Sequence, residues 1–140
     1  MVWQNEIDEL NRRLEMAGKM GGEPGVSRQH DNGKMTVRER IKAFADPGTF
    51  NELSALAGSS RYENNELVNF VSYPRVIGTS KINGMRVLLD GGDFTVRGGA
   101  GERGHGAKPN VLKYAVQWRL PLIRLLDAVG GSVRTFEQLG

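Results

Sequence analysis

From the amino terminus the apolar positions keep a helical spacing. Trp3, Ile7, Leu10, Leu14 and Ala17 alternate steps of four and three, which draws one narrow apolar seam along a helix over 3–17. Asp8–Arg12 and Glu9–Arg13 add i,i+4 pairs outside the seam. The glycines and proline of GKMGGEPG end the helix. A helix this short is marginal alone, so the seam must pack on its own domain or on a partner subunit. A second helix, 36–45, is announced by the T-x-x-E capping box of Thr36 and Glu39, with Val37, Ile41 and Phe44 on one face. Asp46-Pro47-Gly48 is the turn that stops it. GSSRYENNE, 58–66, is polar throughout and reads as a surface loop.

The period then shifts to two. RVIGTSKI and MRVLLD flank Asn83-Gly84, the strongest short hairpin signal. The second arm is expected to run on through DFTV into a glycine-rich stretch, GGDFTVRGGAGERGHGAK, with seven glycines and five charged residues in 91–108. After it, NVLKYAVQW places Val111, Leu112, Ala115 and Val116 on one helical face with Trp118 nearby. LPLIRLLD follows as a short strand ending at Asp127. Strand, glycine loop, helix, strand is a right-handed βαβ crossover and implies parallel pairing. A second glycine turn, AVGGSVR with Gly130 and Gly131, stands at the end of that strand, where ligands collect in open α/β sheets.

A chain of 140 residues holds one domain with a real core. No apolar run approaches the ~20 residues of a membrane span, and the amino terminus has no signal-peptide pattern. Zero cysteines exclude disulfides and thiolate metal sites and fit a reducing compartment. The cytoplasm is the expected location, or the mitochondrial matrix in a eukaryote, although no transit peptide is seen. The net charge of +3 is uneven: residues 1–90 balance twelve basic against twelve acidic groups, while 91–140 carry seven against four. The excess suits a phosphorylated ligand near the glycines, and equally an ordinary mixed surface. Nucleic acid is not indicated, because no basic run is interleaved with aromatics.

Gly99, Gly101 and Gly104 satisfy G-x-G-x-x-G, and Asp127 ends the next strand where a ribose-binding acid would sit. The dinucleotide reading fails on Pro109. Its ring forbids a helix beginning within the glycines and sets the start near Lys108. There is no Walker A motif, and Arg134 breaks G-x-S-x-G at GGSVR, leaving Ser132 as a helix N-cap. His30 and His105 have no metal-ligand partners, so no metal is expected. His105 either donates to a ligand or caps the following helix. A strand end running into glycines offers backbone N–H groups with no side chain in the way, and such donors stabilise an oxyanion, a thioester enolate being one example.

Several segments also carry a family resemblance. RQHDNGKMTVRERIKAFADPGTFNEL, 28–53, closely resembles the amino-terminal signature of biotin-dependent acyl-CoA carboxylase carboxyltransferase (β) subunits, the propionyl-CoA and methylcrotonyl-CoA carboxylase type. That signature typically reads R-Q-H-x-x-G-K-L-T-A-R-E-R-I followed by D-P-G-[ST]-F-x-E. GTSKINGMRV is similar to G-x-G-x-I-N-G-R-x-V. DFTVRGGAGERGHGAK matches D-F-T-V-x-G-G-S-x-x-x-x-H-x-x-K with His105 and Lys108 in register, and LPLIRLLDAVGGSVR is like P-V-I-x-L-x-D-S-G-G-A-R.

The resemblance implies an α/β, crotonase-like fold of ββα units, incomplete here. An amino-terminal helical segment, 1–57, would precede the start of the carboxyltransferase domain, 58–140. It implies an enzyme that moves a carboxyl group from carboxybiotin, carried on a partner protein, to the α-carbon of an acyl-CoA. Gly98, Gly99 and Ala100 then become backbone oxyanion donors. Arg97, Arg103 and Lys108 become candidates for CoA phosphates, each of which also suits a solvated surface charge. His105, Gly130 and Gly131 complete the expected substrate contacts.

Expected partners are acyl-CoA, a biotin carboxylase or biotin carrier subunit, and further copies of the chain with active sites between subunits. A biotin-linked decarboxylase or transcarboxylase subunit resembles the same segments, its separation lying in the partner subunits. A non-catalytic scaffold binding a subunit through the Trp3–Ala17 seam is the reading from a different class. The sequence departs from the pattern at Ala100, where the family has serine, and at the longer segment from Asp127 to Arg134. Family subunits are several times longer, so the second oxyanion element is expected beyond residue 140 and the isolated chain is expected to be inactive.

Overall fold

A computed structural model of the chain describes residues 2–100 and 110–129. Its centre is a four-stranded sheet in the order β1-β4-β5-β6, formed by β1 (Asn51–Glu52), β4 (Arg75–Ile82), β5 (Met85–Gly92) and β6 (Leu122–Leu125). The turn chemistry explains the β4–β5 pair. Asn83 and Gly84 both take positive φ, 50° and 79°, as a two-residue hairpin loop requires. The Asp46 carboxylate accepts the backbone N–H groups of Asn83 (2.9 Å) and Gly84 (2.8 Å), so the turn ending one helix also caps the hairpin. β6 joins β5 in parallel, with Leu88 opposite Leu122 and Gly91 opposite Leu125, as the strand–loop–helix–strand order predicts.

Period-two alternation on β5 sorts the core into two faces. Val87 and Leu89 meet Val76 of β4 and Val37 and Ile41 of the helix α3 (Val37–Phe44). Leu88 and Ile77 point the other way, against Val111 of α4 (Val111–Trp118), with Tyr114, Ala115, Leu120 and Leu122 packed around them. The apolar face of α4 is therefore only partly the one the sequence predicts, Val111 and Ala115 keeping to it and Leu112 and Val116 leaving it. Val111, Tyr114 and Ala115 turn to the sheet, and Leu112 (59% exposed) and Val116 (80% exposed) face outward. The helix also starts later than Lys108: Asn110 is its N-cap, accepting the Lys113 N–H at 3.0 Å.

Helix α3 starts as its motif predicts. Thr36 Oγ1 accepts the Glu39 N–H, and the Glu39 carboxylate accepts the Thr36 N–H at 2.7 Å. His30 Nε2 lies 3.0 Å from the same carboxylate. It belongs to a helix absent from the sequence reading, α2 (Gly22–Asp31). Pro24 sits in its first turn, where a missing N–H is harmless, so residues read as helix breakers open a second helix.

The bond from His30, with those from Thr36, holds the Glu39 carboxyl down at about 2. Its pKa is depressed on folding, so its contribution is complete above the ordinary carboxylate value and is lost as pH falls towards 2. Thermal unfolding between pH 6 and 2 is expected to be flatter in its acid limb for Glu39→Gln than for the wild type. An unchanged acid limb would show that this contact contributes nothing.

A separate two-stranded sheet replaces the surface loop expected over 58–66. β2 (Gly58–Glu63) and β3 (Glu66–Ser72) pair antiparallel across Asn64-Asn65, both at positive φ, with a register shift between Arg61 and Tyr62. Most of β2 is exposed, which is why its sequence lacks an apolar alternation. Helix α1 (Gln4–Gly18) lies against β3. The structure turns Glu9, Arg13 and Met16 inwards, with Tyr62 Oη donating to Glu9 Oε1 at 2.7 Å. Of the predicted seam only Ala17 is buried. Trp3, Ile7, Leu10 and Leu14 each stay 40% exposed or more, so the described residues do not bury them as a domain-internal seam would.

Candidate functional site

The carboxyl ends of β5 and β6 lie side by side, and one side chain from α3 ties them together. Arg40 Nη2 donates to the Gly92 carbonyl at 2.6 Å, and Nη1 donates to the Leu125 carbonyl at 3.2 Å. These are the last residues of the two parallel strands, so the guanidinium spans the strand ends. Just beyond them Asp127 gathers three groups, one each from α2, the loop after it and α3. Gln29 Nε2 donates to Oδ2 at 2.7 Å, Lys34 Nζ lies 3.5 Å from Oδ1, and Arg40 Nη2 lies 4.0 Å from Oδ2. Gln29 is buried although it is polar, and this bond satisfies it.

The chain leaves β5 through a turn, not through a continuing strand as the sequence suggested for DFTV. The Asp93 N–H donates to the Pro74 carbonyl at 2.9 Å, after which its side chain takes over. Asp93 Oδ1 accepts the Thr95 N–H at 3.0 Å and the Thr95 hydroxyl at 2.6 Å, an Asx turn that competes with the sheet ladder. Thr95 Oγ1 in turn accepts the Gly21 N–H at 2.9 Å, fixing this turn to the α1–α2 junction. Burial pushes the Asp93 carboxyl up from its ordinary value, against the lowering effect of the Thr95 bonds and of the Arg38 and Arg40 charges.

Arg97–Gly99 then form a single tight left-handed turn, with φ of 50°, 65° and 72° at the three residues. The Gly99 N–H donates to the Val96 carbonyl at 2.9 Å, the Ala100 N–H to Arg97 at 3.3 Å, and the Val129 N–H to the Gly98 carbonyl at 2.9 Å. This last bond joins the two strand-end loops. Gly99 has φ of 72°, and a Cβ there would stand 2.5 Å from the Asp127 carbonyl oxygen and 3.1 Å from Ala128. Glycine is required twice over, by backbone conformation and by the closeness of the second loop. Beside the turn, a groove of about 390 Å³ opens between the end of α1, β3 and the loop, lined by Met16, Lys19, Met20, Phe70, Thr95 and Arg97 among others.

On the α4 face of the sheet, Asp90 is fully buried between two cations. Arg75 donates to it through Nε (2.6 Å) and Nη2 (2.5 Å), and Arg124 Nε lies 3.3 Å from Oδ2. The bidentate geometry makes this a fixed brace beneath the strand ends.

Of the residues expected at the site, the structure brings Arg97, Gly98, Gly99 and Ala100 together at the strand ends. Arg103, His105, Lys108, Gly130 and Gly131 lie outside the described residues, as does Ser132. Sequence reasoning assigned no role to Gln29, Lys34, Arg40, Asp93 or Thr95. The signal was present in the fixed spacing of RQHDNGKMTVRER and DFTV, which the geometry explains as one bonded set around the two strand ends. Among the described residues no group of three His, Cys, Asp or Glu is placed to hold a metal ion, and no helix is long and apolar enough to cross a membrane.

A mixed sheet that ends a parallel strand pair in paired loops, one of them rich in glycine, defines the class: an α/β fold of the crotonase-like kind expected from the sequence. The transcarboxylase 12S crystal structure superposes with a TM-score of 0.72 at 24% identity, covering 93% of this chain and 26% of that one. A single-chain, multi-domain long-chain acyl-CoA carboxylase gives a TM-score of 0.72 at 26% identity, covering 91% of this chain and 14% of that one. The profile of the carboxyl transferase domain matches residues 28–139, and the chain belongs to that family.

Similar curated proteins include the propionyl-CoA carboxylase carboxyltransferase subunit of Haloferax mediterranei, 35% identical over 136 residues, which covers 96% of this chain and 26% of that protein. The methylmalonyl-CoA decarboxylase subunit alpha of Veillonella parvula is 31% identical over 139 residues, covering 94% of this chain and 26% of that protein. The chain thus spans about a quarter of the length of these relatives.

Proposed function

We propose that this chain supplies the acyl-CoA thioester subsite of a biotin-dependent acyl-CoA carboxyltransferase. One observation carries the reading: in a carboxyl transferase domain, the glycine turn 97–100 closes the carboxyl end of a parallel strand pair and is locked to the neighbouring loop at Val129. The α-carbon of the thioester must give up a proton and gain a carboxyl group. Between those events its negative charge gathers on the thioester oxygen, and donors fixed in advance stabilise it without reorganising. The backbone N–H groups of Gly98, Gly99 and Ala100 are assigned to that oxygen; the Gly99 N–H, bonded to the Val96 carbonyl at 2.9 Å in the free chain, exchanges that acceptor for the oxyanion. The Ala100 N–H reaches its present acceptor at 3.3 Å, a long bond that yields readily to a charged acceptor.

Arg97, with Arg103 and Lys108, is assigned to the CoA phosphates, and His105, Gly130 and Gly131 to further substrate contacts. The carboxyl donor is carboxybiotin, delivered on a carrier subunit. None of the described residues is assigned to it, and the full site is completed between copies of the whole protein.

Acyl-CoA added to the full-length oligomer is expected to slow hydrogen exchange of the backbone amides of residues 98–108. Exchange unchanged there, with acyl-CoA bound elsewhere, overturns the assignment of the loop.

A further inference from the structure

We propose that α1 pairs antiparallel with α1 of a second copy of this chain. The helix precedes residues 28–139, which match the carboxyl transferase domain, and the described residues leave its apolar seam largely exposed. Trp3 is 67% exposed, Ile7 41%, Leu10 42% and Leu14 40%. The inward side is instead Glu9, Arg13, Met16 and Ala17, so the seam lies on a separate flank of the helix. The steps of four and three are those of a coiled-coil core, with Ile7 and Leu14 at one core position and Trp3 and Leu10 at the other.

Two features select a second copy as the occupant, and antiparallel as the sense. The uncovered set is self-complementary on reversal: Ile7 faces Leu10 of the other copy, and Leu14 faces Trp3, which gives four closed layers about a two-fold axis. The flanking charges reverse in the same way. Glu6 and Arg13 occupy equivalent flanking positions, and antiparallel pairing sets each Glu6 against the Arg13 of the other helix. In parallel pairing each core position would meet its own kind, and neither charge would face its opposite. Among the described residues Glu6 has no ion pair. Arg13 already bonds Glu9 Oε1 through Nε (3.1 Å) and Nη2 (2.6 Å) and Tyr62 Oη through Nη2, which leaves its Nη1 for Glu6 of the other copy. Two helices of this length bury less than the ~1,000 Å² of a stable interface. The pairing therefore reinforces contacts between copies that other surfaces already bring together.

Cysteine trapping in the full-length protein tests this directly, because residues 1–140 hold no cysteine; any cysteine outside them is first replaced by serine. Ile7→Cys and Leu10→Cys chains are mixed in equal amounts and mildly oxidised. The mixed disulfide is expected to exceed either homodisulfide by about tenfold, against the twofold of random pairing. Glu6→Lys in both chains is expected to lower its yield several-fold, with circular dichroism unchanged because position 6 is exposed. Homodisulfides equal to or above the mixed product overturn the antiparallel register. Absence of any covalent dimer, with the chains folded, overturns self-pairing and leaves the seam to a different partner.

Discussion

Gly99→Ala in the full-length protein is expected to lower kcat about 100-fold, the scale of losing one oxyanion donor, while KM for acyl-CoA changes only a few-fold. The methyl group meets two obstacles. At φ of 72° an L side chain costs about 1–2 kcal/mol, and the Asp127 carbonyl at 2.5 Å leaves no space for it. The turn must swing away from the second loop, taking the Gly99 and Ala100 amides with it. On the proposed assignment CoA is held by more distant phosphate contacts, so the loss is expected to fall on the transition state. Equal losses in kcat and in acyl-CoA binding would show that the turn serves uniform binding only. Steady-state kinetics beside a direct binding titration separate the two.

Arg40→Met is expected to destabilise the chain by about 3 kcal/mol. It removes charge-assisted bonds to two carbonyls, which carry roughly 1.5–3 kcal/mol each, less the apolar contact the methionine regains. The Gly92 and Leu125 carbonyls lose their shared donor, and among the described residues Asp127 keeps Gln29 and Lys34. Arg40→Lys is expected to recover less than half of the loss, because one ammonium cannot span two strand ends as a planar fork does. Urea unfolding reads this as a lower midpoint at an unchanged slope. A shift below about 1 kcal/mol would show that water replaces the guanidinium at both carbonyls.

Features built from neighbouring residues were legible in the sequence. Asn83-Gly84 and the Thr36–Glu39 box carry their own geometry within a few residues and appear as read, and the parallel β5–β6 pairing follows from the order of elements. The errors share a cause in tertiary context. β2 has little apolar alternation to show because it is solvated along most of its length. α2 opens at glycines and a proline that mark a stop unless the proline falls in the first turn. The inward flanks of α1 and α4 were chosen by what lies beneath them, not by their most apolar stripe. The site shows the same division. The glycines at 98 and 99 were visible as a motif, but Gln29 reaches Asp127 across 98 positions, a meeting that no spacing rule within one element predicts.

Arg40 also bears on the order in which the chain assembles. The β4–β5 hairpin closes across two residues, whereas β6 reaches β5 only after the whole stretch from Leu88 to Leu122 has been brought back. Non-local, parallel pairing is the slow event in a fold of this kind. Arg40 can satisfy both strand ends only once β6 has arrived, so the clasp closes late. The glycine turn at 97–100, tied to Val129 beyond β6, is then among the last parts of the molecule to take shape, and a chain that has folded everything else has no competent turn.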